Sequence, residues 1–270
     1  MDTLHTKYNA LRSRLTELGS LAVAFSGGVD STFLLQVAYN CLGNRALAVT
    51  AAPPFVPIRE QKEASDFCRE AGIRQIVIPP EELDIDRIRH NPPDRCYHCK
   101  HLIFGRIIEA AEQNGIRHVA EGSNTDDTGD YRPGMRAIRE LGVLSPLLDA
   151  GLSKSDIRAL SKELELPSWD KPSFACLASR FVYGEAITDE RLSMVDRAEQ
   201  LLLDLGFRQF RVRIHGDLAR IEILPDDFDR IMLPTVRGQI TTALREYGFS
   251  YVTLDLSGYR TGSMNEVLKI

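Results

Sequence analysis

The run Leu21-Ala-Val-Ala-Phe25, followed at once by Ser26-Gly27-Gly28-Val29-Asp30-Ser31, does most to limit the folds open to this chain. Five apolar residues ended by a turn read as a strand buried on both faces, the habit of parallel sheets. Two glycines let the backbone turn sharply, and Ser31 to Leu42 reads as a helix closed by Gly43. Such a junction brings backbone N–H groups and the positive end of a helix dipole to one point, which favours an anion. Ser26 and Ser31 add hydroxyl donors, and Asp30 is placed to hold a Mg²⁺ that bridges phosphate oxygens. A Gly-Gly turn alone is a common strand–helix junction; the full hexapeptide is what points to ATP. Neither the Walker lysine nor GxGxxG is present, which argues against kinase-like γ-phosphoryl transfer and dinucleotide binding.

Around this junction strands and helices alternate. Residues 4–18 read as an amphipathic helix, 46–50 and 75–78 as strands, 59–71 and 100–113 as helices, and 118–120 as a short strand. The expected fold is α/β, a mostly parallel sheet flanked by helices. From 123 to 150 the pattern loosens into loops rich in Asp, Gly and Pro, after which Ser153 and Asp156 have capping-box spacing at a helix start. Beyond the irregular stretch 167–187 the order changes. A helix at 188–205 precedes strands 210–214 and 219–224 about the turn His215-Gly216-Asp217, then two helices and a strand at 251–254. The chain of 270 residues is therefore expected to divide into a nucleotide-binding domain, 1–180, and a small α+β domain, 181–270. A formal charge of −5 does not favour nucleic acid, no run of about 18 apolar residues spans a membrane, and the first residues carry no signal peptide. The expectation is a cytoplasmic protein whose five cysteines are reduced.

Those cysteines differ in kind. Cys41 and Cys68 fall inside helices among apolar neighbours, as buried inert thiols do. Cys96 and Cys99 lie in Arg95-Cys-Tyr-His-Cys-Lys100 at a helix start, where the dipole and two cations favour thiolates. Lys100 also offers charge to a bound nucleotide. Cys176, four residues before Arg180 in an irregular segment, is a third candidate. Zinc on the three thiolates plus His98 or His101, a CxxC redox pair, and an iron–sulfur cluster with one open iron all suit these residues. Further on, Arg211 and Arg213 stand two apart on a strand and project from one face. They suit a second phosphate, or a surface ladder with Glu222 and Arg220 across the hairpin. Asp126 and Asp127 are further candidates for metal or ribose.

The hexapeptide resembles the SGGxDS signature of the pyrophosphatase-loop superfamily, similar to NAD and GMP synthetases and tRNA thiolases. Over essentially the whole chain the sequence resembles the LarE family of sulfur transferases. The resemblance is carried by Ala24–Ser31, Arg95–Lys100, Glu121–Asp127 with Asp130–Gly134, and Cys176–Arg180. Arg211–Arg213, Ala219–Glu222, Tyr251–Asp255 and Tyr259–Glu266 continue it. It implies an enzyme that adenylates carboxylates of pyridinium-3,5-biscarboxylic acid mononucleotide with ATP and exchanges oxygen for sulfur, in making the nickel-pincer cofactor of lactate racemase. It further implies that Cys96, Cys99 and Cys176 hold a [4Fe-4S] cluster carrying sulfide from an outside source, as in the three-cysteine branch. The alternative is that Cys176 surrenders its own sulfur. Ser179, Arg180, Arg211 and Arg213 would hold the substrate phosphate, Glu222 would orient an arginine, Glu199 is a weaker candidate, and a homo-oligomer is implied. A tRNA thiolase or an amide-forming ATP enzyme are the competing functions.

Overall fold

The computed structural model describes residues 3–129, 133–172, 175–260 and 263. Asp130 to Arg132, and Thr261, Gly262 and Met264 to Glu266 of the family stretches, lie outside the described residues. The chain forms two compact units, Met1–Ile85 with Asp94–Phe174, and Asp86–Pro93 with Ala175–Ile270. This division differs from a single cut at 180/181: the second unit begins earlier and takes in a segment from within the first. Asn91 explains the inclusion. It is buried with a positive φ of +49, and its Nδ2 donates to the carbonyls of Phe181 and Val182 at 3.3 and 2.6 Å.

In the first unit, α1 (Thr3–Leu18) leads to β1 (Leu21–Ala24), α2 (Val29–Leu42), β2 (Ala46–Ala51), α3 (Ile58–Glu70) and β3 (Gln75–Ile78). The short α4 (Asp86–Arg89) belongs to the second unit; α5 (Arg95–Gln113) and β4 (Val119–Ala120) return to the first. Next come α6 (Pro133–Glu140), α7 (Pro146–Asp149) and α8 (Lys154–Glu163). The four strands form one parallel sheet in the order β3-β2-β1-β4. Both inner strands are buried almost throughout, which is why they read as unbroken apolar runs. Phe33, Leu34, Val37 and Ala38 of α2 pack with Leu11 and Leu15 of α1 in the core.

Most elements fall where periodicity puts them, and Ser153 and Asp156 make the expected reciprocal cap of α8. The stretch 123–150 is more ordered than its composition suggests. A 3₁₀ turn (Thr125–Gly129), α6 and α7 occupy it, and α6 buries Ala137 and Ile138. Leu144 adds a parallel bridge to Ala120 beside β4.

The second unit contains α9 (Asp189–Asp204), β5 (Phe210–His215), β6 (Leu218–Ile223), α10 (Phe228–Ile231), α11 (Pro234–Glu246) and β7 (Tyr251–Leu254). β5 and β6 are antiparallel, β6 and β7 parallel, and α9 packs on β5.

Candidate active site

In the first unit the chain leaves β1 through Ser26, Gly27 and Gly28 and enters α2 at Val29. The Gly28 N-cap has no side-chain bond to the first turn, so the amides at this helix end are left for a ligand or water. Gly27 has φ +72, and a Cβ there would meet Ala64 of α3 at 3.1 Å. Ser26 Oγ and Ser31 Oγ lie 3.1 Å apart, and Ser31 Oγ donates to the Gly28 carbonyl at 3.2 Å. Past β4, Gly122 presses on the same helix end, where a Cβ would meet Ser31 N at 3.1 Å. β1 and β4 are neighbours whose connections run in opposite directions, and ligands of open α/β sheets bind at such switch points.

Asp30 stands in this crevice. Its Oδ2 pairs with Lys154 Nζ, while its Oδ1 is buried with no hydrogen-bond partner. An acceptor in that state fits a hard cation, so the residues present suit Mg²⁺. Burial raises the Asp30 pKa above the ordinary carboxylate range, although Lys154 opposes the shift. Sequence spacing does not mark Lys154, whose neighbours signal only a helix cap. Lys171 is equally unmarked; its Nζ donates to the Gly27 carbonyl at 3.2 Å and to Glu60 and Glu63 at 2.5 and 2.6 Å. Asp126 and Asp127 hold backbone rather than standing open: Asp126 Oδ2 accepts from Lys154 N and Asp127 Oδ2 from Asn124 N, each at 3.0 Å.

Cys96 and Cys99 sit one turn apart near the start of α5, the first exposed and the second half-buried. Three residues' spacing puts both on one helix face. His98 Nε2 lies 3.1 Å from Asp94 Oδ2, and the Tyr97 hydroxyl donates to Glu140 of α6 at 2.7 Å. The Lys100 side chain runs beside Gly134, where a Cβ would meet its Cδ at 2.7 Å. Among the described residues no group of three or more Cys, His, Asp or Glu side chains is arranged to hold a metal ion. Thiolates have the right donor chemistry for iron–sulfur, and α5 supplies two of them, Cys96 and Cys99. Cys68 is buried, which pushes its thiol up to about 12 and keeps it protonated.

In the second unit Cys176 is exposed, just before a 3₁₀ turn, Leu177–Arg180. Arg180 is fully buried, and its guanidinium is directed inward. Nε and Nη2 donate to Glu199 at 2.7 and 2.8 Å. Nη1 donates to the carbonyls of Ala175 and Cys176 at 2.9 and 3.2 Å and to Ser179 Oγ at 2.8 Å. Glu199 also accepts from Val212 N at 3.0 Å. Arg180 and Glu199 thus join the Cys176 turn to α9 and β5.

Arg211 and Arg213 lie opposite Glu222 and Arg220 in the hairpin register, as a ladder requires. They are not a surface ladder, because Arg211, Arg213 and Glu222 are all buried. Arg213 forks onto Glu222 at 3.1 and 3.0 Å, and its Nη1 donates to the Ser179 carbonyl at 2.7 Å. Glu222 also takes Arg220 at 3.0 Å. The Arg211 guanidinium lies 5.1 Å from the Tyr259 ring centre; burial and then Arg180 lower its pKa to about 10. Here Arg180, Arg211, Arg213 and Arg220 outnumber Glu199, Glu222 and Asp255. An anion would relieve that imbalance.

A parallel sheet carrying this loop at the end of an inner strand defines a nucleotide-binding α/β protein of the pyrophosphatase-loop class. No family model matches the chain. It is 38% identical to the pyridinium-3,5-bisthiocarboxylic acid mononucleotide synthase of Lactiplantibacillus plantarum, covering 99% of this chain and 97% of that one. It is 41% identical to an uncharacterized protein of Synechocystis sp., covering 98% and 99%. A chain of the glutamine-hydrolyzing GMP synthase of Thermoplasma acidophilum is 25% identical over 86% of this chain and 76% of its own. The chain belongs to the LarE family of pyridinium-3,5-bisthiocarboxylic acid mononucleotide synthases. Among the described residues no helix is long and apolar enough to cross a membrane.

Proposed function

We propose that this protein is an ATP-dependent sulfur transferase that converts carboxylates of pyridinium-3,5-biscarboxylic acid mononucleotide to thiocarboxylates, in the making of a nickel-pincer cofactor for lactate racemase. The observation that carries the reading is the uncapped start of α2 beside the unpartnered Asp30 Oδ1, in a family member. A carboxylate oxygen leaves poorly, and attaching AMP makes it a leaving group. The amides of the loop, with Ser26 and Ser31, hold the departing pyrophosphate; Asp30 would hold Mg²⁺, whose charge would offset that of the phosphates. Lys100 adds positive charge. Arg211, Arg213 and the Ser179 hydroxyl receive the substrate phosphate, while Glu222 orients Arg213 and Arg180 fixes the turn that bears Cys176. The protein works in the cytoplasm as a homo-oligomer, without nucleic acid or membrane.

Cys96, Cys99 and Cys176 would hold a [4Fe-4S] cluster, with sulfide drawn from an outside source. When bound, the cluster supplies an iron that presents sulfide. Exposure of Cys176 favours a second reading, in which its own sulfur is given up. The test is anaerobic purification with iron and sulfide analysis, then turnover with ATP, mononucleotide and sulfide, followed by mass spectrometry. The proposal expects AMP, pyrophosphate, a thiocarboxylate product and an unchanged protein mass. Loss of one H₂S from Cys176, with Cys96→Ala and Cys99→Ala still active, would establish the second reading. Absence of AMP would overturn both.

A further inference from the structure

The geometry points to Lys171 as a positioning residue for the phosphate loop, a role that rests on the ATP reading above. Its ammonium has three protons, and three acceptors surround it: the Gly27 carbonyl, Glu60 and Glu63. The lysine is itself held in place, because Arg158 of α8 donates to the carbonyls of Trp169 and Lys171 at 2.7 and 2.6 Å. Glu60 is buried and Lys171 is the cation closest to it, at 2.5 Å. The ammonium therefore ties the loop to α3 at the place where Gly27 packs on Ala64.

Two consequences follow for an anion. The Gly27–Gly28 peptide is trans, so its N–H points opposite to its C=O. With the carbonyl drawn to Lys171, the Gly28 N–H faces away from α3 and its two carboxylates. A flip of this peptide would turn a carbonyl oxygen toward the phosphates and remove a donor. Lys171 also offsets Glu60 and Glu63, whose charges would otherwise repel pyrophosphate.

The test measures binding of inorganic pyrophosphate, ATP and AMP with Mg²⁺ by titration calorimetry, on the full-length protein. Lys171→Met is expected to weaken pyrophosphate and ATP by roughly tenfold, the size of one lost charge-assisted hydrogen bond, and AMP far less. Lys171→Arg, which keeps a donor and the charge, is expected to recover most of the affinity. Because Lys171→Met leaves the buried Glu60 with only the longer Arg59 pair, at 3.8 Å, Lys171→Met/Glu60→Gln/Glu63→Gln is measured as well; it should remain folded and remain weak. Full recovery of pyrophosphate affinity in that triple variant assigns the effect to charge and overturns the positioning role. Equal losses for AMP and pyrophosphate overturn it too, as does wild-type affinity in Lys171→Met. If the wild-type protein binds neither ATP nor pyrophosphate, the ATP reading fails first, and this inference falls with it.

Discussion

Gly27 shows how little freedom the nucleotide loop has at single positions. Its φ of +72 costs any L side chain roughly 1–2 kcal/mol, and a Cβ would also press on Ala64 at 3.1 Å. Gly27→Ala is therefore expected to lower stability in urea titrations and to abolish measurable ATP binding. At Arg180 the constraint is electrostatic. Removing either member of a buried pair strands the other, so Arg180→Met is expected to cost about 3–5 kcal/mol. The same pair sets a pH dependence. Burial pulls the Glu199 pKa up, but Arg180 and the Val212 N–H outweigh it and hold the carboxyl below its ordinary range. A depressed carboxyl contributes stability that is fully present above its unfolded pKa, about 4.3, and is lost as pH falls through the folded value. Acid unfolding followed by circular dichroism should show this loss below about pH 4.3, and Glu199→Gln should flatten that part of the curve.

At the scale of elements, the helix that delivers Lys154 depends on its cap. Ser153 Oγ accepts from Asp156 N at 3.2 Å, and Asp156 Oδ2 accepts from Ser153 N at 3.1 Å. Ser153→Ala is expected to cost about 1 kcal/mol in chemical denaturation. A loss well above that would mean that the cap also holds the 124–127 turn through Asp126. The cap is legible in the sequence because it is local, as are the core strands and the loop after β1. α6 is not: it is short, it starts at a proline, and Asp- and Gly-rich residues precede it. The spacing of Ala137 and Ile138 is too brief to outweigh them. Lys154 and Lys171 are hidden for another reason. Each acts on a group more than a hundred residues away in sequence, and nothing in its own neighbourhood marks it. Arg180, by contrast, is marked by its company, yet burial gives it a structural task toward Cys176 that sequence spacing does not reveal.

Across the whole molecule, the chain enters the second unit at Asp86, returns at Asp94 and leaves again at Ala175. Cys96 follows the return by two residues and Cys176 follows the last crossing by one. The inserted segment is held by more than Asn91. Gly184 N donates to the Asn91 carbonyl at 2.9 Å, and Ile187 N to that of Arg89 at 2.8 Å. Arg89 grips Asp189 at the start of α9 with bonds of 2.8 and 3.0 Å. These bonds bypass the sheet, so they should stabilise the second unit selectively. Asn91→Ala removes a side chain whose donors serve two carbonyls and places alanine at φ +49, a conformation it adopts poorly. In native-state hydrogen exchange of the full-length protein, protection in β5, β6 and α9 should fall by tenfold or more, for a loss of about 1.4 kcal/mol. Amides of β1, β2 and α2 should keep their rates. Uniform acceleration of both sets would mean that the two units open together, and that the segment 86–93 supports the entire fold rather than one part of it.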